Sequence, residues 1–139
     1  MHIRPYQDSD QDAVIALWQE CGLVVAHNDP RKDIARKLAV GRELFLVGET
    51  EGKVVASVMG GYDGHRGWVN YLAVSPDHQR KSYGTLLMRA LEKMLLERGC
   101  PKLNLQIRRT NDSVISFYNS IGYGEDAVVS MGKRLIPDH

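Results

Sequence analysis

Cysteine is scarce in this sequence, which has only two such residues, Cys21 and Cys100. Two cysteines cannot form a network of disulfides, and no CxxC pair is present that would indicate a zinc site. Among His27, His65 and His78, no two have metal-ligand spacing with a third ligand, so we expect no metal. Both thiols are expected to be reduced, as is usual in cytoplasmic proteins, with Cys21 buried on the first helix.

Long hydrophobic runs are also missing. The longest have four or five residues, such as the run at 44–47, whereas a membrane-spanning helix needs about 20. The N-terminus lacks the basic and apolar regions of a signal peptide and alternates like a strand. We therefore expect a soluble, cytoplasmic protein without a membrane partner.

Neither sign of charge dominates, because 18 Lys and Arg residues stand against 17 Asp and Glu residues, for a net charge of +1. A protein that binds nucleic acid non-specifically usually has a clear basic excess, so no nucleic-acid partner is expected. The 139 residues are 43% hydrophobic and 25% charged, which is the composition of an ordinary globular protein. That length fits a single domain over residues 1–139, since two halves would each have too small a core.

The hydrophobic pattern alternates along the chain between the period of a strand and that of a helix. It predicts strands at 2–6, 43–49, 52–60, 67–74 and 102–108, helices at 8–21, from 29, at 82–98 and at 112–121, and two final strands near 123–126 and 128–135. Asp8 is expected to cap the first helix, with Gln11 as its capping-box partner. The segment 67–108 fits a right-handed crossover between parallel strands. The pattern thus predicts an α/β protein with a mixed sheet and helices on its faces.

The segment 75–87 joins a buried-looking strand to the longest helix. A helix N-terminus exposes unpaired main-chain N–H groups and carries partial positive charge, so it binds phosphate well. Gln79, Arg80 and Lys81 add side-chain donors, two of them cationic. These features suit a pyrophosphate held by the amides of residues 80–85. A solvated polar turn before a helix would have the same composition, so the residues alone leave both interpretations open.

This segment resembles the acyl-coenzyme A signature of the GNAT superfamily of N-acetyltransferases, Q/R-x-x-G-x-G/A. The matching residues are Gln79, Arg80, Lys81, Ser82, Tyr83 and Gly84, and they follow the approach LAVSP that is typical of the family. The order of elements matches that family over the whole chain. The resemblance implies the GNAT acyl-CoA N-acyltransferase fold, with a central mixed sheet splayed between strands 4 and 5 and helices on both faces. The stretches MGGYDGHRG, RGCPK and GKRLI are similar to a YpeA-type subgroup of bacterial members.

One position departs from the signature, because Ser82 stands where the family has its first glycine. A serine keeps the main-chain N–H, but its Cβ would crowd a phosphate or require a negative φ. Alternatively, its hydroxyl donates a hydrogen bond to the phosphate. Both alternatives concern the affinity for the cofactor rather than its identity.

The resemblance implies acetyl-CoA as cosubstrate, with its pantetheine arm between the strands 67–74 and 102–108. The free edge of the first strand would pair with that arm, beside a gap opened by a bulge near 70–72. A main-chain N–H near the thioester carbonyl would stabilise the developing oxyanion. The cofactor-binding residues implied are Leu72, Ala73, Val74, Gln79, Arg80, Lys81, Ser82, Tyr83, Gly84, Thr85 and Asn111. Without the family, residues 72–74 form a core strand, and both roles are compatible.

A second match lies at Asn111 and Tyr118, whose spacing is that of the family's N-x6-Y pattern. In the family the Asn contacts the pantetheine and the Tyr lies beside the sulfur. The resemblance therefore implies that Tyr118 is the catalytic acid that protonates the departing thiolate. The residues themselves leave other roles open, since Asn111 suits a helix N-cap and Tyr118 shares an apolar stripe with Ile115 and Ile121.

The implied activity is acetyl-CoA-dependent transfer of an acetyl group to a primary amine, by direct attack in a ternary complex. The acceptor would be a small-molecule or peptide amine. Family members that acetylate protein N-termini often have Glu at the position of Gln106, which disfavours such an acceptor here. The general base is left open: Asn70 and Tyr71 are poor bases, and water or an acid such as Asp29 or Asp63 is an alternative.

Two other functions stay open. The missing base and the serine in the signature are compatible with a non-catalytic acyl-CoA-binding sensor or interaction protein on the same fold. The loop alone is compatible with another nucleotide-phosphate binder of mixed α/β class. A homodimer is a further alternative, since many relatives pair through edge strands.

Overall fold

The computed structural model describes residues 1–138 and confirms the predicted order of elements as far as the last helix. Two short 3-10 turns, at Asp8–Asp10 and Pro76–His78, accompany the longer elements. These are β1 (His2–Pro5), α1 (Gln11–Glu20), α2 (Pro30–Val40), β2 (Phe45–Thr50), β3 (Lys53–Tyr62), β4 (Gly67–Val74), α3 (Tyr83–Glu97), β5 (Leu103–Leu105) and α4 (Asp112–Ser120). The strand predicted at 102–108 is thus shorter, with three residues.

The five strands form one mixed sheet in the order β1-β2-β3-β4-β5. All neighbours are antiparallel except β4 and β5, which are parallel and are linked by α3. This confirms the crossover expected from the pattern of 67–108. The parallel pairing runs from Gly67 with Leu103 to Val69 with Leu105, whereas β4 continues to Val74. The last five residues of β4 therefore have no partner on the β5 side among the described residues.

The main-chain contacts divide the described chain into two compact units, residues 1–105 with Asp138 and residues 106–137. The first unit contains the sheet with α1, α2 and α3. The second contains α4 and a segment, 121–137, without helix or strand.

The two final strands predicted at 123–126 and 128–135 are therefore wrong. A strand within a sheet would bury part of its apolar side chains, but Val129, Met131 and Leu135 are 85%, 90% and 84% exposed. Strand formation depends on packing against neighbours more than on intrinsic preference, and no described strand pairs with this segment.

One face of the sheet is covered by α1 and α2. The apolar stripe of α1 is spaced as the sequence predicted, and Val14, Leu17 and Trp18 are at most 2% exposed. They pack in one cluster with Ile34 of α2 and with the sheet residues Tyr6, Phe45, Val47, Met59 and Ala73. This cluster fixes the position of α2 over the sheet.

The opposite face of the sheet is covered by α3, whose Leu87, Leu91 and Leu95 are buried. Gly60 in β3 lets α3 approach closely, because a Cβ at this position would overlap the Leu91 side chain. Gly60 neighbours Met59 in the strand, so their side-chain positions point to opposite faces. The expectation of helices on both faces is confirmed.

The start of α1 differs from the sequence prediction in its capping residue. Asp8, expected to cap the helix with Gln11, begins a 3-10 turn and forms a surface ion pair with Arg42 at 3.0 Å. Asp10 instead accepts a hydrogen bond from the Gln7 main-chain N–H at 2.8 Å. Arg4 donates to both carboxylate oxygens of Asp10, so the buried carboxylate is paired and its pKa is lowered. Arg4 of β1 thus determines which aspartate acts at the start of the helix. Capping rules that consider only neighbouring residues do not include such a distant partner.

Candidate cofactor and acceptor site

The middle of β4 contains a β-bulge where the sequence predicted one, near 70–72. Met59 pairs with Asn70 while Ser57 pairs with Ala73, so one residue of β3 faces two residues of β4. Tyr71 lies in this bulge with a φ of 54°, in the left-handed region that non-glycine residues rarely adopt. The bulge follows Asn70, one residue beyond Val69, which is the last residue of β4 that pairs with β5.

Side chains from α1 and β3 hold the bulge in place. The Ser57 hydroxyl donates to the carbonyl of Tyr71 at 3.0 Å and accepts from the Trp18 indole at 2.9 Å. The rings of Trp18 and Tyr71 stack with centroids 3.8 Å apart. Because Ser57 and Trp18 are fully buried, these contacts are protected from water.

Beyond the bulge, the edge of β4 offers main-chain groups on alternate residues. The Ser75 N–H bonds the Val55 carbonyl, so Ser75 and, by alternation, Ala73 face β3. Leu72 and Val74 accordingly direct their main-chain groups away from β3. The carbonyl of Val74 accepts hydrogen bonds from Cys21 Sγ at 3.3 Å and from Gln79 Nε2 at 3.2 Å. The Gln79 amide thus ties the following loop to the strand.

The loop between β4 and α3 has two residues with positive φ, Arg80 at 68° and Ser82 at 62°. A negative φ at Ser82 was one of the alternatives that the sequence left open, and it is wrong. Ser82 adopts the left-handed conformation that glycine adopts readily. The serine therefore keeps a glycine-like main chain, at the energetic cost of a side chain in that region.

The main-chain N–H groups at the start of α3 have no hydrogen-bond acceptor within the described part of the chain. Among residues 1–138, none accepts a hydrogen bond from the N–H groups of Ser82, Tyr83, Gly84 or Thr85, and the first bond of the helix is donated by Leu86. The positive end of the helix macrodipole lies at the same point. This is the arrangement of an anion-binding helix N-terminus.

Two cations flank these nitrogens in the sequence. Arg80 and Lys81 are exposed, and neither forms an ion pair with a described residue. Gly84, by contrast, is buried within the first turn of α3. The predicted loop residues 79–85 thus lie around one helix end, with two exposed positive charges available for an anion.

Asn111 and Tyr118 lie in the second unit, on α4. Asn111 is the N-cap of α4, and its Oδ1 accepts from the main-chain N–H of Val114 at 3.4 Å. Tyr118 is 6% exposed and makes edge-to-face contacts with Phe117 and Tyr123. Burial raises the pKa of Tyr118 to about 12. Its phenol therefore stays protonated at neutral pH.

The two carboxylates considered as possible bases both have structural roles. Asp29 caps α2 by accepting from the main-chain N–H of Arg31 at 2.9 Å. Asp63 accepts from the main-chain N–H groups of His65 and Arg66, and these bonds lower the pKa of its exposed carboxyl. A carboxylate held by two N–H donors is a poorer base.

Another carboxylate, which the sequence analysis missed, lies beside the bulge. The Tyr71 hydroxyl donates a 2.6 Å hydrogen bond to Asp33 Oδ2. Asp33 belongs to α2 and precedes Ile34, which is buried against the sheet. The only feature of the sequence that could have indicated a role for Asp33 is its position beside Ile34, the one buried residue of α2. The two residues are 38 positions apart, so the contact requires the packing of α2 on the sheet.

The described part of the chain lacks two further features, a metal-binding cluster and a membrane-spanning helix. Residues 1–138 contain no group of three or more His, Cys, Asp or Glu side chains placed to hold a metal ion. No helix within that range is long and apolar enough to cross a membrane.

Comparison with known proteins decides the family. The model of the acetyltransferase (GNAT) family matches residues 6–123. The chain belongs to the GNAT family of acetyltransferases. It is 50% identical over 138 residues to an acetyltransferase of Yersinia enterocolitica, and the match covers 99% of this chain and 98% of that one. As a member of this family it is an acetyltransferase, and the fold implied by the loop and the order of elements is confirmed.

Solved structures of the same fold have diverse acceptors. The ribosomal-protein-S18-alanine N-acetyltransferase of Escherichia coli has a TM-score of 0.75 and 25% identity, with 90% of this chain and 78% of that one covered. AAC(6')-Iy, solved with a bisubstrate analogue made of coenzyme A and acetylneamine, has a TM-score of 0.75 and 14% identity, with 96% and 97% covered. At that identity the second likeness shows the fold alone.

Proposed function

We propose that this GNAT protein transfers an acetyl group from acetyl-CoA to a primary amine, by direct attack in a ternary complex. The observation that carries the proposal is the unpaired row of main-chain N–H groups at residues 82–85, flanked by the exposed cations Arg80 and Lys81. Four donors and two positive charges match the oxygens and the charge of a diphosphate. The residues present therefore fit the cofactor that the family implies.

The pantetheine arm would follow the unpaired edge of β4. Leu72 and Val74 direct their main-chain groups to that edge, whereas Ala73 faces β3. Of the three residues predicted to contact the pantetheine through their main chain, only Leu72 and Val74 are therefore proposed to do so. The Val74 carbonyl already accepts hydrogen bonds from Cys21 and Gln79. Main-chain pairing with an added extended segment is a common way to bind a peptide-like ligand.

The acetyl thioester of the bound cosubstrate supplies an activated carbonyl. The bulge after Asn70 interrupts the regular pairing of β4 and so provides unpaired main-chain groups near the expected position of that carbonyl. An N–H group directed at the carbonyl oxygen would stabilise the negative charge that develops as the amine attacks.

Tyr118 is proposed as the acid that protonates the departing thiolate. With a pKa of about 12, its phenol is fully protonated at neutral pH, and its hydroxyl has no partner among residues 1–138. Because a free thiol has a pKa near 8.5, the proton would move as the C–S bond breaks. Asn111 would contact the pantetheine through its amide N–H, since its carbonyl oxygen caps α4.

The proposal is tested in two steps with purified protein. Calorimetry measures binding of acetyl-CoA to the wild type, to the double variant Arg80→Ala/Lys81→Ala and to the control Lys53→Ala, which removes an exposed cation from β3. We expect binding in the wild type and the control, and at least tenfold weaker binding in the double variant. No binding at millimolar acetyl-CoA would contradict the proposal, and competition by ATP but not by desulfo-coenzyme A would indicate another nucleotide binder.

The second step measures release of free thiol from acetyl-CoA with a panel of amines, polyamines, amino acids and peptides. We expect release with at least one amine, and a loss of turnover in Tyr118→Phe with unchanged acetyl-CoA affinity. Tyr62→Phe, which removes a hydroxyl bonded to the main-chain carbonyls of Gly64 and Gly99, is the matched control. Binding without release across the panel would favour a non-catalytic acyl-CoA sensor, and full turnover in Tyr118→Phe would exclude the proposed acid.

A further inference from the structure

We propose that the Asp33 carboxylate and the Tyr71 hydroxyl bind the ammonium group of the acceptor, so that this protein selects cationic amines. The inference rests on the proposed function, because it places the acceptor beside the acetyl group of a bound cosubstrate. It adds a specificity-determining pair that neither the family signature nor the sequence pattern identifies.

The position of Tyr71 is the first ground for this inference. Tyr71 lies two residues beyond Val69, where β4 loses its β5 partner and the unpaired edge begins. Its φ of 54° lies in the left-handed region, where a residue with a side chain is strained. Strained residues of this kind persist where the surroundings enforce them, and they concentrate at functional sites. Trp18 and Ser57 provide that enforcement here.

The charge balance around Asp33 is the second ground. Asp33 Oδ1 lies 3.6 Å from Arg36 Nη1, a long contact, whereas the other guanidinium nitrogen of Arg36 is bound to Asp138 at 2.8 Å. The side chain of Asp138 is 1% exposed and also accepts from the Asp29 main-chain N–H. Arg36 is thus mainly engaged by Asp138, and Asp33 keeps negative charge that a cationic ligand can neutralise.

The neighbouring lysine does not compensate Asp33. Lys37 follows one turn later on α2, but its ammonium donates to the main-chain carbonyl of Gly60 in β3. The Asp33 side chain remains 25% exposed, so a ligand can reach it. Burial raises the pKa of Tyr71, and the bond to Asp33 and the charges of Asp138 and Asp29 raise it further. The Tyr71 hydroxyl therefore lies among carboxylates, which favour a cationic ligand.

An alkylammonium group has three N–H donors. Tyr71 uses its single O–H to reach Asp33 Oδ2, so its oxygen lone pairs and Asp33 Oδ1 are the acceptors available to those donors. A neutral alcohol or amide could not offer the same charge. Asp33 and Tyr71 thus bind and orient the ammonium group. The ammonium must lose one proton before the amine attacks, and this proton passes to solvent.

The test uses coenzyme A thioethers, so it does not require knowledge of the acceptor. Calorimetry compares S-(2-aminoethyl)- and S-(3-aminopropyl)-coenzyme A with their neutral isosteres, S-propyl- and S-butyl-coenzyme A, on the wild type, Asp33→Asn and Asp12→Asn. Asp12 is a control aspartate on α1, 93% exposed. We expect at least one ammonium tail to bind the wild type and Asp12→Asn tenfold more tightly than its isostere. In Asp33→Asn that advantage should fall below twofold, with the neutral thioethers bound as before.

The neutral thioethers separate the two proposals. If they bind but neither ammonium tail has an advantage in the wild type, the acceptor inference is overturned and the cofactor proposal stands. The inference is equally overturned if Asp33→Asn keeps the full advantage. If no thioether binds the wild type, the proposed function fails and this inference fails with it. Loss of neutral-thioether binding in Asp33→Asn alone would give Asp33 a structural role and would also overturn the inference.

Discussion

The Trp18 indole N–H donates a 2.9 Å hydrogen bond to Ser57 Oγ, in a site where both residues are fully buried. Through the same oxygen, Ser57 donates to the carbonyl of Tyr71 at 3.0 Å. One hydroxyl therefore links the core of α1 to the bulge of β4. This link explains how a strand can hold a non-glycine residue at positive φ.

The variant Ser57→Ala should lower the free energy of unfolding by about 1 to 3 kcal/mol, because it leaves a buried indole N–H and a carbonyl without their partner. Denaturant unfolding measures the change, and Ser9→Ala, on an exposed turn, is the control with an expected effect below about 0.5 kcal/mol. Equal stabilities of wild type and Ser57→Ala would show that the link contributes nothing.

Gly60→Ala should destabilise the protein by about 1 to 3 kcal/mol, since the added Cβ would overlap Leu91 on α3. Gly61→Ala is the matched control on the same strand, because a Cβ there meets only the flexible end of Lys37 at 3.6 Å. Its effect should be close to zero or stabilising. Thermal unfolding of both variants measures the difference. If the two alanines cost the same, close approach of α3 to β3 is not the reason for the glycine.

Ser82→Gly should raise the stability by up to about 1 kcal/mol, because it removes a side chain from the left-handed region at the cost of a more flexible unfolded chain. The corresponding change Ser113→Gly, inside α4, should lower the stability by about 0.5 kcal/mol. Melting temperatures of the two variants should therefore move in opposite directions. A fall in both would contradict the strain assigned to Ser82.

Tyr118 should make the stability depend on pH under alkaline conditions. Its pKa is raised by burial to about 12 in the folded protein, against 10 unfolded. The corresponding stabilisation is complete below pH 10 and is lost as pH rises through 12. The total loss amounts to about 2 to 3 kcal/mol. Denaturant unfolding between pH 9 and pH 12 should show a steeper decline for the wild type than for Tyr118→Phe. Parallel declines would contradict the shift, since Tyr71 titrates in both proteins.

The sequence was sufficient for features with a local cause. The period of Leu87, Leu91 and Leu95 predicted α3, and the polar residues before it predicted a helix N-terminus available to an anion. The bulge near 70–72 was predicted from the family resemblance and is confirmed by the register of β3 and β4.

Features with a distant cause were missed or mistaken. The contact of Asp33 with Tyr71 exists because α2 packs across the sheet, and nothing within either segment indicates it. The positive φ of Ser82 has the same origin, since a chain entering α3 from β4 imposes a conformation that serine does not prefer. A strand was expected at residues 128–135, but the local sequence cannot provide the partner that a strand needs, and no described strand pairs with this segment.

The central claim is that the main-chain N–H groups of residues 82–85 bind the diphosphate of the cofactor. Amide chemical shifts of the ¹⁵N-labelled protein, followed by NMR during titration with coenzyme A and separately with pantetheine, test it most directly. We expect large shifts of the amides of Ser82, Tyr83, Gly84 and Thr85 with coenzyme A and small ones with pantetheine, which lacks the diphosphate. Coenzyme A that binds while these four amides stay unshifted would contradict the account.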